Sequence, residues 1–126
     1  MTIKHYNLSK SLDLPYSTVT SAGDFIFVSG QIGHVDQNGN SLDTIEEQTT
    51  QVLENIKKAL AAANANLEDV VKCTIFLSDL KYFKQVNQIY QTYFTTPAPA
   101  RSTIVAGMVL PQILVEIEAL AYRPQV

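Results

Sequence analysis

Arg101, in Pro99-Ala100-Arg101-Ser102-Thr103, and Glu116, in Val115-Glu116-Ile117-Glu118-Ala119, lie fifteen residues apart in segments that otherwise read as apolar strands. A permanent cation and a carboxylate placed there are costly to bury unless each is paired or bound. The planar guanidinium fork matches a carboxylate with two parallel hydrogen bonds. A carboxylate whose pKa is lifted by burial or an anionic neighbour can take a proton from water. Together the two residue types fit a site for a small anionic substrate. Plainer readings stay open: a surface ion pair for Arg101, and a cross-sheet ion pair or simple exposure for Glu116 and for Glu118 on the same face.

Other candidates are weaker taken singly. Tyr16, after Leu14-Pro15, presents a phenol to a site or packs its ring locally. Ser29-Gly30 ends a strand, where glycine allows close approach of a ligand or marks a bulge. Asn87, beside Val86, sits in a helix interior where an amide is usually solvated. Cys73 reads as core filler rather than a nucleophile. His5 and His34 show no ligand spacing, so no metal is expected, and no glycine-rich phosphate loop or Ser/His/Asp order is present.

Positioning these residues requires a particular set of elements. Ser17 to Thr20 and Phe25 to Gln31 are β-prone runs joined by the turn residues 21–24, a hairpin. Asp43 and Glu46 have the spacing of a capping box, and apolar residues at Ile45, Val52, Ile56, Leu60 and Ala63 predict an amphipathic helix to about Ala63. Val70 to Leu77 is β-branched and aromatic, with Cys73 sharing a face with Val71, Ile75 and Leu77. Ser78-Asp79 caps a second helix from about Leu80 to Phe94, whose apolar stripe runs through Phe83, Val86, Ile89 or Tyr90, Tyr93 and Phe94. Pro97 and Pro99 end it, a strand follows from Arg101 to Met108, and the last strand is Ile113 to Tyr122.

The order β-β-α-β-α-β-β makes an α+β domain of two layers. Two helices about 10 Å across cover one face of a six-stranded sheet with strands about 4.8 Å apart. On the last strand Ile113, Val115, Ile117, Ala119 and Ala121 are expected to face the helices. Leu114, Glu116, Glu118, Leu120 and Tyr122 face the other way. That second face is neither clean core nor clean solvent surface, which predicts self-association around polar clefts.

The 126 residues, 46% hydrophobic, are expected to form a single domain over 1–126. Nine basic against twelve acidic residues, with no basic run, argue against nucleic acid as a partner. One cysteine, no basic and apolar leader, and no apolar run near the roughly 18 to 20 residues of a membrane span predict a soluble cytoplasmic protein without membrane contact.

The order and spacing of several pieces resemble the RidA/YjgF family of reactive imine and enamine deaminases. These are Pro15-Tyr16, Val28-Ser29-Gly30-Gln31-Ile32, the helix with Gln48, Leu53, Asn55 and Ile56, Val71-Lys72-Cys73-Thr74-Ile75-Phe76-Leu77, Val86-Asn87, Tyr90, Phe94, Pro99-Ala100-Arg101-Ser102 and Val115-Glu116-Ile117-Glu118-Ala119. The resemblance spans nearly the whole chain and implies a chorismate mutase-like fold, a homotrimer and clefts between subunits. It implies that Arg101 holds the substrate carboxylate, that Glu116 orients or activates water, and that the backbone at Thr103 meets the imine nitrogen. Tyr16, Ser29, Gly30 and Asn87 would line or support the cleft. The implied reaction is cofactor-free hydrolysis of 2-imino acids, such as 2-iminopropanoate and 2-iminobutanoate, to 2-keto acids and ammonia. Thr103 stands where some members carry cysteine, and Leu14 and Thr18 replace a usual glycine and glutamine. A regulatory module that binds a small metabolite without turning it over is the alternative.

Overall fold

The computed structural model describes residues 2–9 and 13–124. Its elements in chain order are β1 (Lys4–Tyr6), β2 (Val19–Ala22), β3 (Phe25–Ile32), α1 (Ile45–Ala62), β4 (Val70–Leu77), α2 (Phe83–Tyr93), β5 (Ala100–Val105) and β6 (Val115–Tyr122), with short 3-10 turns at Leu67–Asp69 and Leu80–Tyr82. One mixed sheet holds all six strands in the order β1-β2-β3-β6-β4-β5, in which only β4 and β5 run parallel. The sixth strand is β1, a three-residue element with Lys4 and His5 exposed and Tyr6 packed against the core, missing from the strand order expected above.

Alternation along β6 falls as expected. Val115, Ile117, Ala119 and Ala121 are buried, while Glu118 and Tyr122 are exposed and Glu116 and Leu120 half-buried. α1 lies against β2, β3, β6 and α2. Its Val52, Leu53, Ile56 and Leu60 are fully buried, and each side chain of this size stabilises the fold by about 1.5 to 3 kcal/mol. Gln48, also fully buried, donates to the carbonyls of Leu42 and Gln112 and accepts from the Leu114 N–H, tying α1 to the chain entering β6.

Several details differ from the pattern. α2 begins at Phe83, after the 3-10 turn at Leu80–Tyr82 that Asp79 caps by accepting from the Lys81 N–H, β5 ends at Val105 rather than Met108, and β6 begins at Val115 rather than Ile113. The cap of α1 is one residue later than Asp43. Thr44 Oγ1 accepts from the Glu47 N–H at 3.1 Å and Glu47 Oε1 accepts from the Thr44 N–H at 3.3 Å, so a hydroxyl rather than a carboxylate closes the box. In β4 a register shift between Val70 and Lys72 turns Val71 outward, 44% exposed, and Val70 takes the inward place expected for it. Among the described residues no helix is long and apolar enough to cross a membrane.

Candidate functional site

Gly30 and Glu116 meet where β3 loses register with β6. The shift lies between Val28 and Gln31, so Ser29 and Gly30 form a bulge, and beyond it Ile32 pairs with Glu116. The bulge is fixed by its own bonds. The Ser29 hydroxyl donates to the Ser17 carbonyl at 2.6 Å, the Ser29 N–H donates to the Thr18 carbonyl at 2.9 Å, and the Gln31 amide donates to the Ser29 carbonyl at 3.0 Å. The Glu116 side chain lies over the Gly30 backbone so closely that a Cβ there would collide with Oε2 and stand 3.0 Å from Cδ. Of the alternatives offered for Ser29-Gly30 the bulge is present, and what comes close to Gly30 is the Glu116 side chain.

Partial burial first, and the neighbouring Glu118 carboxylate second, hold Glu116 above its ordinary pKa. A cavity of about 620 Å³ opens beside Gly30, lined also by Tyr16, Thr18, Gln31, Asn55 and Lys58. Its floor is pinned, because the Asn55 amide donates to the Ile32 carbonyl and accepts from Gln51. Tyr16 is 58% exposed at the rim.

A second group gathers at the β5 edge. In the parallel pairing Arg101 stands opposite Cys73 and Thr103 opposite Ile75, so both lie on the face that α2 covers. Arg101 is half-buried, with Cζ 4.9 Å from the ring centroid of Tyr90 and 5.8 Å from that of Phe83. Among the described residues no carboxylate pairs with it. Asn87, one helical turn from each of those rings, has a buried amide oxygen without a hydrogen-bond partner. Cys73 is fully buried and burial pushes its thiol pKa up, as fits core filler.

Arg101 and Glu116 therefore share no cavity within one chain. β4 separates them: Arg101 pairs with inward Cys73 and Glu116 with outward Phe76, three residues on, and an odd offset along a strand means opposite faces. The candidates divide into Tyr16, Ser29, Gly30 and Glu116 on one side, and Asn87, Arg101 and Thr103 on the other. Phe83, and Tyr90 as an alternative to Ile89, belong to the apolar stripe expected for α2, and neither is among the site residues named from the sequence. Their spacing with Asn87 at i, i+4 and i+7 was the signal that they share the stripe facing Arg101.

Gly30→Ala tests the close approach. Gly30 has no positive φ, so alanine strains no backbone, and the flexible carboxylate of Glu116 can give way. The expected outcome is a melting temperature within a few degrees of wild type, with turnover lowered by about ten- to a hundredfold through displacement of Glu116. Circular dichroism melts and steady-state kinetics check the two halves.

Comparisons with known proteins bear on the family and the fold. Residues 10–123 match the family model described as Endoribonuclease L-PSP. A RutC family protein of Pyrococcus horikoshii is 42% identical over 110 residues, covering 86% of this chain and 87% of that protein. The chloroplastic Reactive Intermediate Deaminase A of Arabidopsis thaliana is 42% identical over 108 residues, 85% of this chain and 58% of that one. The crystal structure of a Mycobacterium tuberculosis member of the YjgF/YER057c/UK114 family superposes with a TM-score of 0.85 at 29% identity, covering 96% of this chain and 99% of that one.

Proposed function

This chain belongs to the YjgF/RidA family, and from that premise we propose that it hydrolyses reactive 2-imino acids to 2-keto acids and ammonia. The observation that carries the proposal is Arg101. Its fork is half-buried against ring faces and bonded to no carboxylate of the described residues, and that leaves its N–H donors for an anion. A 2-imino acid supplies that anion next to its C=N carbon.

With the carboxylate on Arg101, the water oxygen bonds to the protonated C=N carbon. One water proton passes to Glu116, and the π pair moves to nitrogen. Glu116 then returns the proton to the nitrogen of the carbinolamine. The C–N bond breaks, C=O forms, and the hydroxyl proton leaves for solvent. Partial burial and the Glu118 carboxylate raise Glu116 above its ordinary pKa, a shift in the direction that both transfers call for. Orientation by Arg101 and proton transfer by Glu116 are the two demands of the reaction.

Because the two side chains diverge within one chain, the active site is completed by a neighbouring copy in a homotrimer. Supporting this, the sheet face opposite the helices is left open, with Phe25, Phe27 and Ile104 between 44% and 47% exposed and Phe25 packed edge-to-face on Tyr122. The endoribonuclease wording of the family model gains no support from a chain of nine basic and twelve acidic residues. The lone thiol fits a reducing cytoplasm as the place of work.

The test generates 2-imino acids in situ with an amino-acid oxidase and measures ammonia release across a series of side chains. Release faster than spontaneous hydrolysis is expected. Absence of any acceleration across the series, with 2-keto acids still bound, overturns the deaminase in favour of a metabolite-binding module.

A further inference from the structure

Arg101 is held by rings, and what holds it bears on what it can bind. On α2, Phe83, Asn87 and Tyr90 form one stripe toward β5. Tyr90 is itself packed into the core. It is 5% exposed, its ring packs on Phe94 with centroids 4.7 Å apart, and its hydroxyl faces the Cys73 thiol with no well-formed hydrogen bond. Cys73 is in turn the residue paired in register with Arg101. The guanidinium thus stands over a ring whose position is set by the core beneath it.

A carboxylate partner would hold Arg101 by occupying two of its N–H donors. An aromatic face attracts the cation through the ring quadrupole and occupies none, and it does so more strongly where water is excluded, as at Tyr90. We propose that Tyr90 is a positioning residue whose ring face orients the Arg101 guanidinium with its donors left for ligand, and so builds the subsite for the substrate carboxylate. Phe83, 41% exposed and 5.8 Å away, is the outer wall of that subsite. This rests on the deaminase reading above.

The experiment is a double-mutant cycle between Tyr90→Leu and Arg101→Ala, read by KM and kcat for 2-imino acids and by binding of 2-oxobutanoate against its uncharged amide. Tyr90→Leu is expected to raise KM and weaken 2-oxobutanoate binding by about tenfold. It leaves kcat within about threefold and amide binding unchanged, a split that general loosening of the core would not produce. Tyr90→Phe, which keeps the ring, restores KM to within about twofold. In the Arg101→Ala background Tyr90→Leu has no further effect on acid binding. Should Tyr90→Leu fail to fold, Phe83→Leu at the exposed wall decides, with an expected two- to threefold loss, roughly, in acid binding alone.

Acid-to-amide discrimination at the wild-type value in both Tyr90→Leu and Phe83→Leu overturns the proposal. So does an equal effect of Tyr90→Leu with and without Arg101. If wild type releases no ammonia, the deaminase reading falls while the acid and amide affinities still decide the role of Tyr90.

Discussion

Arg101→Ala is expected to lower kcat/KM for 2-imino acids by about 10²- to 10³-fold, from loss of a bidentate charge-assisted pair and of the orientation it gives. The structure separates this from unfolding. Arg101 sits on an edge strand, bonds no carboxylate of the described residues, and covers rather than fills the core, so its removal orphans no buried charge. Stability is expected to change by about 1 to 2 kcal/mol, from loss of the cation–π contacts with Tyr90 and Phe83 at a partly exposed site. Arg101→Lys keeps the charge but not the planar fork and should recover only part of the activity. Ammonia release and denaturant unfolding, measured on the same preparations, check both statements. An Arg101→Ala variant that turns over at the wild-type rate would remove the anion subsite from the chemistry.

Why this site was only half legible in the sequence follows from what local patterns encode. Alternation over Val115 to Tyr122 reported its buried face correctly, because each inward residue is small or apolar over the whole strand. The helix period of α1 was equally plain, but the cap expected at Asp43 stands at Thr44, one residue on, a place that both residue types fit. β1 escaped because Lys4, His5 and Tyr6 are too few and too polar to show a period, and are ordered by pairing with β2. The bulges at Val71 and at Ser29-Gly30 invert parity in mid-strand, which no alternation count can see.

The relation of Arg101 to Glu116 is a different case. Whether two residues on different strands share a face depends on the register each makes with the strand between them. Here β4 pairs parallel with β5 and antiparallel with β6, a fact about tertiary structure. Tyr90 was hidden for a further reason. An aromatic on the apolar stripe of a helix reads as core, and only the guanidinium placed above it by β5 gives it a second use.

Glu116→Gln carries the other large effect and also tests the division of the site. Glutamine keeps the shape and the approach to Gly30 but cannot take a proton from water, so kcat should fall by about 10²- to 10⁴-fold with KM and 2-keto acid affinity little changed. The wild-type rate should decline as the pH falls through the raised pKa of Glu116, because only the carboxylate form is a base. That acidic limb should vanish in Glu116→Gln. Equal losses of binding and turnover would make Glu116 structural.

The two inactive variants then give a test that neither gives alone. If every active site takes Glu116 from one subunit and Arg101 from its neighbour, trimers reassembled from Arg101→Ala and Glu116→Gln chains in equal amounts contain wild-type pairs at about one site in four. Roughly a quarter of the wild-type activity should therefore return on mixing. A site built within one chain would regain nothing, because no chain in the mixture has both residues. The opposite faces that Arg101 and Glu116 occupy make the first outcome the expected one.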